Sequence, residues 1–505
     1  MKKLLPFIFY LTLFLIILCF SMSAGNYDFD LWARLIAGMG VIDGHEVLKA
    51  DFLSYTPTHI WWDHEWGSGV IFYFFLKHFG AYSLVILQSI LIFGIFFTAS
   101  KILKLKGVKN PNNFVFYFFS LMAIMGTLNH PIRCHLFSFL FFTIFIYILE
   151  KARKDSQKLL YILPFLTILW NNIHGGVVSG VGLILLFAIG EFLNHKPIKH
   201  FLITFILSAI SLIINPWGFD YIKFLLMANT MERTHIMEWW SPFCKYHLYK
   251  HLIFKAFLIF IVSVEFLTIL KNKTSLRDFY RNQDKVKWIL FFTTTYLAFS
   301  HVKLIPFFII FGLIYCYEDF YSLVSKINLP QWKDKVIYTI VITGALFSLS
   351  IKEFTPPVDF SNYPIREVEF IKINQLKGKL LVNFGLGSYV SYKLYPQNVI
   401  FMDGRYEEVY YDFMMPMLKR FFLLEEGWND VLIKYTPDIM ILENYYPIYN
   451  HLANSKDWVL VYNGNIFGVF VKTKDKKNNY INPTEDLSYY KDTLFETEIN
   501  LRKNE

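Results

Sequence analysis

The chain is short of charge, of cysteine and, over its first two thirds, of long polar stretches. Charged residues make up 18% of its 505 residues, against 55% hydrophobic and 19% aromatic, and the mean hydropathy is +0.37. That balance excludes a soluble protein built on one core. The four cysteines, Cys19, Cys134, Cys244 and Cys316, show no close metal-ligand spacing and predict no disulfide framework, although Cys134 and Cys244 could pair with each other. Acidic residues are fewer than basic ones, 40 against 49, for a net charge of +9. In a soluble domain this excess would point to nucleic acid. In a membrane protein it marks cytoplasmic loops, which collect Lys and Arg, so no nucleic-acid partner is expected. No internal repeat is evident.

What the chain has instead is long apolar runs. About 20 apolar residues span a bilayer, and runs this continuous are helices rather than barrel strands. The expected class is an α-helical polytopic membrane protein with a C-terminal extracytoplasmic α/β domain. Eleven spans are expected, near 4–22, 81–100, 112–128, 136–150, 159–171, 176–193, 201–217, 252–270, 288–301, 304–320 and 336–351. Lys2-Lys3, a long apolar run and Ser21–Ala24 imitate a signal peptide, but the run exceeds a usual h-region and reads as an uncleaved first span. With the N-terminus cytoplasmic, the internal connections hold 21 Lys and Arg and the external ones nine. This bias fits the positive-inside rule and puts the C-terminus outside.

The expected domains are 1–351, a transmembrane domain with an extracytoplasmic loop over 23–80; 352–475, the α/β domain; and 476–505, a polar tail. In the loop, 31–39 reads as a helix and His64–His78 as a helix lying along the interface. In the α/β domain, strands are expected at Lys379–Asn383, Val399–Met402, Ile439–Leu442, Trp458–Tyr462 and Phe467–Val471, with a helix over 427–435. Phe384-Gly385-Leu386-Gly387 follows a strand and opens a helix, as a dinucleotide fingerprint does. The third glycine is replaced by Val390, and a tight strand-to-helix turn suffices.

The densest set of titratable and aromatic residues lies between Asn26 and Trp66. Asp28 and Asp30 stand two apart, so they could share a divalent cation, or one could act as a general base. Either could instead cap the helix that follows. Asp63-His64-Glu65, flanked by Trp62 and Trp66, reads as a substrate site or as the polar side of an interfacial belt. Arg133 with His135, Asn171 with His174, and Lys303 with His301 lie at external span ends, where cations could hold a phosphate or simply snorkel. Glu238, in Glu238-Trp239-Trp240, is a further external carboxylate, while Glu191 and Glu265 at internal span ends read as anchors. Asp403-Gly404-Arg405 reads as a local ion pair or a contact to the membrane loops.

An aspartate pair in the first external loop of a many-span protein resembles the GT-C class of membrane glycosyltransferases. More closely, the chain resembles a group of bacterial GT-C-like membrane proteins. The resemblance is carried by Asp28-Phe-Asp30-Leu-Trp32, Asp51-Phe-Leu-Ser54, His64-Glu65-Trp66, Arg133-Cys-His135, Trp170-Asn-Asn-Ile-His174, Asn215-Pro216, Glu238-Trp239 and Asp403-Gly404-Arg405. Arg34 stands where that group usually has His, Cys134 where it has Pro, and Lys303 where it often has Arg.

The resemblance implies inverting transfer of a sugar from a polyprenyl-phosphate donor to an external acceptor at the bacterial cytoplasmic membrane. Asp30 or Asp28 would be the catalytic base. Trp32, Arg34, Asp63, His64, Glu65, Trp66, Arg133, His135, Asn171, His174, Glu238 and Lys303 would bind substrate. No cofactor is required and no metal ligand is assigned, though a divalent cation is compatible with the acidic pair. Two other readings are a non-catalytic scaffold for envelope polysaccharide assembly and a lipid or oligosaccharide transporter.

Overall fold

The computed structural model describes residues 4–23, 29–128, 132–231, 233–234, 236–272, 283–325, 333–351 and 362–501. The chain forms two compact units, both discontinuous in sequence. One holds Met1–Ala24 with Val85–Phe354, the other Gly25–Leu84 with Thr355–Glu505.

The first unit is helical, and a helix lies in each of the eleven apolar segments. Among the described residues, four helices are long and apolar enough to cross a membrane: Leu5–Met22, Tyr82–Leu105, His135–Lys154 and Leu252–Lys271. A fifth is reached if Val302–Tyr315 and Tyr317–Val324, bent by 51°, count as one span. Two of the shorter helices have a marked start. Asn113 caps Phe114–Met125 by accepting from the Phe116 N–H at 3.1 Å, and Pro164 opens Leu163–Ile173. Phe165, Phe192, Ile259, Phe266 and Phe292 are all exposed, an apolar surface that suits lipid rather than water.

Charge inside this unit is paired. Arg153 binds Glu150 at 3.0 Å, Glu191 at 2.9 Å and Asp284 at 2.9 Å. Lys287 binds Glu265 at 2.7 Å and Asp319 at 2.5 Å. Glu191 and Glu265 thus tie helices together.

The second unit is built on a five-stranded sheet in the order β2-β1-β3-β5-β4. Its strands are β1 (Gly378–Leu381), β2 (Asn398–Ile400), β3 (Ile439–Glu443), β4 (Trp458–Asn463) and β5 (Phe467–Lys472). β1 pairs in parallel with β2 and β3, while β5 is antiparallel to β3 and β4. All five strands lie where the apolar, β-branched runs predict them, and the expected helix over 427–435 is Asp430–Tyr435.

The loop 25–84 is part of this unit. Ile400 donates to the Leu53 carbonyl at 2.8 Å and accepts from the Tyr55 N–H at 3.0 Å, so the loop covers the open edge of β2. The loop helices Leu31–Ile42 and Trp66–Phe79 pack backbone to backbone at Gly38 and Gly69, where any Cβ would strike the facing carbonyl. The stretch expected as a polar tail is docked rather than peripheral. Tyr490, Leu494 and Ile499 are buried, and the Phe495 carbonyl accepts from the Tyr392 hydroxyl at 2.7 Å.

Candidate active site

Asp30 occupies the N-cap position of Leu31–Ile42, yet its side chain makes no capping hydrogen bond. A Cβ on Gly404 would collide with Asp30 Oδ1 and stand 3.6 Å from Ser388 Oγ. Glycine at 404 therefore leaves the space that the Asp30 carboxylate fills. Asp28 lies outside the described residues.

Beside this turn Arg405 is fully buried. It donates to both Asp403 oxygens at 2.9 and 3.0 Å and to Asp51 at 2.7 Å, and its guanidinium stacks 4.6 Å from the centre of the Trp61 ring. Burial opposes ionisation of Asp51, and the Arg405 charge overcomes it, holding that carboxyl below its ordinary range. Burial raises Asp403, which shares the same guanidinium. Of the two sequence readings of Asp403-Gly404-Arg405, both apply: a local ion pair, and a contact to the loop 25–84.

A second buried network joins residues of the loop 25–84 to Glu408. Arg34 ion-pairs with Asp63 and donates to Glu408 at 2.7 Å, with Glu65 at 3.6 Å. His64 Nδ1 lies 2.9 Å from Glu408, and the Trp61 indole N–H donates to Glu408 at 2.9 Å. Burial disfavours a charged Glu408, but Arg34 and His64 outweigh it and hold the carboxyl at about 2. Burial likewise works against a charged His64, yet its bond to Glu408 and the Glu65 carboxylate push it up to about 9.

In the other unit a cationic group surrounds Trp239. Arg133 ion-pairs with Glu238. Lys303 Nζ lies 3.8 Å and the Arg233 guanidinium 4.2 Å from the Trp239 ring centre, within cation–π range. The Trp239 carbonyl lies 2.5 Å from His301 Nδ1. Burial opposes ionisation of Glu238, and Arg133, His135 and Lys303 bring it down to about 2. The His135 and His174 rings are 6.4 Å apart. His174 Nδ1 accepts from the Gly176 N–H at 2.9 Å and lies 2.7 Å from the Ser138 hydroxyl. With Nδ1 an acceptor, the ring hydrogen belongs on Nε2.

The structure thus gathers Arg133, His135, His174, Glu238 and Lys303. Five other sequence candidates take structural places instead. Trp32 is fully buried among Tyr363, Tyr389, Tyr392 and Phe495, so its ring is core. Arg34 and Asp63 are 3% and 1% exposed and form an ion pair with each other. Asn171 is buried and donates to the Leu212 carbonyl at 3.0 Å, tying two helices together. Trp66 opens the second loop helix with its indole nitrogen buried. Sequence reasoning missed Glu408, which sits in an ordinary Glu407-Glu408 pair with no local signal.

Among the described residues, His64, Glu65 and Glu408 have ligand atoms within 4.8 Å of one another and could hold a metal ion. One nitrogen and two carboxylates are a suitable donor set for a transition metal. Arg34, however, already supplies a cation to the same carboxylates, so the set does not fit a resident divalent ion and no step is derived through one.

No protein-family model matches the chain, and neither does any curated protein. Among solved structures, the chain is similar to the crystal structure of the Archaeoglobus fulgidus oligosaccharyltransferase in the apo form. The TM-score is 0.51 at 9% identity, covering 86% of this chain and 69% of that one. The likeness is one of fold, and that fold is GT-C-like. The apolar helices mark this as a membrane protein.

Proposed function

We propose that the chain is a glycosyltransferase of the bacterial cytoplasmic membrane, moving a sugar from a polyprenyl-phosphate donor to an acceptor on the outer face. In this reading all eleven helical segments span, the N-terminus is cytoplasmic and the α/β domain is extracytoplasmic. The observation that carries it is the gathering of Arg133, His135, His174 and Lys303 around Glu238 and Trp239. Such a group suits the anion left when a lipid-phosphate donor gives up its sugar, and stabilising that charge makes the phosphate a better leaving group. Asp30, at a cap position without a capping bond, is the candidate base, with Asp28 as its neighbour. It would take the proton of the acceptor hydroxyl as that oxygen attacks the anomeric carbon, and inversion follows from a single displacement.

The scaffold reading has one observation in its favour: Arg133 already has a carboxylate partner in Glu238. Sugar transfer assayed in membranes from a panel of polyprenyl-phosphate sugars separates the two. Asp30→Asn should abolish transfer at normal expression, and Arg133→Ala should lower it by about 10²–10³-fold. A wild-type protein inactive with every donor favours the scaffold, and full activity in both Asp28→Asn and Asp30→Asn removes the assignment of the base.

A further inference from the structure

The turn that imitates half of a dinucleotide fingerprint lies at a reversal of strand order. The chain leaves β1 for β2 through the helix Phe384–Leu394, then reaches β3 on the opposite side of β1. In α/β sheets, ligands bind in the crevice beyond the carboxyl ends of strands at such a reversal. Here that crevice is bounded by Asn383, two residues past β1, and Glu443, the last residue of β3.

Asn383 caps the 11-residue helix, accepting from the Gly385 N–H at 3.4 Å. Its amide donates to Glu443 Oε1 at 2.8 Å and to the Tyr446 hydroxyl at 3.2 Å. Glu443 is 3% exposed; Oε1 also accepts from the Tyr445 hydroxyl at 3.5 Å, while Oε2 is buried with no hydrogen-bond partner among the described residues. A buried carboxylate oxygen lacking a donor is unusual in a folded protein, and a ligand hydroxyl entering the crevice would supply one.

Burial raises the Glu443 carboxyl to about 7, and in its ionised form it repels phosphate. A helix N-terminus ordinarily welcomes an anion, but here a buried acid already stands against it. Tyr445 is 66% exposed and packs 4.7 Å from Tyr446. Its hydroxyl makes the longest bond to Glu443, so it is the group that can swing aside and offer a ring face. A ligand for this crevice must donate hydrogen bonds, carry no phosphate there and present an apolar face to an aromatic ring. A saccharide does all three.

Asp30 lies at the same edge of the sheet. Gly404, against its carboxylate, is four residues past β2, and a Cβ on Gly385 would stand 3.9 Å from Phe29. We propose that the crevice between β1 and β3 binds a neutral or amino-substituted saccharide through Glu443, Asn383 and Tyr445, and that this saccharide is the acceptor. The acceptor role rests on the glycosyl-transfer reading; the binding does not.

The test uses full-length protein in lipid nanodiscs on an array of neutral, amino-substituted, uronic-acid and phosphorylated oligosaccharides. The expected result is retention on neutral or amino glycans, weakened about tenfold or more in Glu443→Gln and Tyr445→Ala. Tyr445→Ala changes an exposed side chain, so it stays informative if Glu443→Gln fails to fold. No retention on these glycans by the wild type, retention unaltered in Tyr445→Ala, or preference for phosphorylated glycans overturns the proposal. Glycan binding that depends on Tyr445, in a protein without transfer activity, overturns the transfer reading and upholds the site. Transfer unaffected by either variant overturns the acceptor subsite alone.

Discussion

Arg34 donates to Glu408 at 2.7 Å across 374 residues of sequence. Both side chains are nearly inaccessible, at 3% and 4%, so neither can fall back on water if the other is lost. The pair joins the loop 25–84 to the C-terminal part of the same unit.

Removing one partner should therefore cost more than the net worth of the pair. Breaking a buried ion pair from one side typically destabilises by about 3–5 kcal/mol, because it strands the remaining charge. Glu408→Gln is expected to lose stability on that scale, read by chemical or thermal unfolding in detergent. A loss below about 1 kcal/mol would mean that Asp63 and Glu65 satisfy Arg34 without it.

His64 gives this join a pH dependence with a definite sign. Its folded value is raised from 6.5 to about 9, so the stability it contributes is complete below about pH 6.5 and lost as pH rises through about 9. Glu408, lowered from 4.5 to about 2, contributes above about pH 4.5 and loses its contribution as pH falls through about 2. The difference in unfolding temperature between wild type and His64→Gln should be largest near pH 5–6 and fade by about pH 9–10. A difference that stays flat over that range would show that His64 is not charged in the folded protein.

Gly404 separates position from chemistry at Asp30. A methyl group at 404 takes the space of the Asp30 carboxylate, and the flexible acid must turn away. Gly404→Ala is expected to lower sugar transfer by about tenfold or more while shifting the unfolding temperature by only a few degrees. The paired variant Gly404→Ala/Asp30→Asn should be no worse than Asp30→Asn alone, since both changes act on one carboxylate. Additive losses would separate the two residues.

The helices and strands were legible because each is written locally. Apolar runs bounded by Asn113 or Pro164 mark helices, and Phe467–Val471 after Asn463-Gly464-Asn465 marks a hairpin strand. Arg133, His135, His174 and Lys303 were read together because each falls at the end of an apolar segment. Arg34 and Asp63 looked like substrate ligands because a charged residue in an external loop carries no local sign of a partner hundreds of residues away. Glu408 and Glu443 were hidden for the same reason: their neighbours are set by the sheet, and the sheet is assembled from distant pieces. Span number was the least legible feature, since composition marks eleven apolar segments while length and hydropathy single out four helices, or five with the bent pair.

The discontinuous second unit also sets a timetable for synthesis. Arg34 and Asp51 emerge early, but Glu408 and Arg405 are made more than 350 residues later. At about 5–20 residues per second, Arg34 waits roughly 20–75 s for Glu408 to leave the ribosome. Throughout that interval the first loop has its charges, its tryptophans and an open strand edge at Leu53–Tyr55 without the surface that will cover them. A chain truncated before residue 400 would leave the loop in that state permanently, so nonsense products of this protein are natural substrates for membrane quality-control proteases.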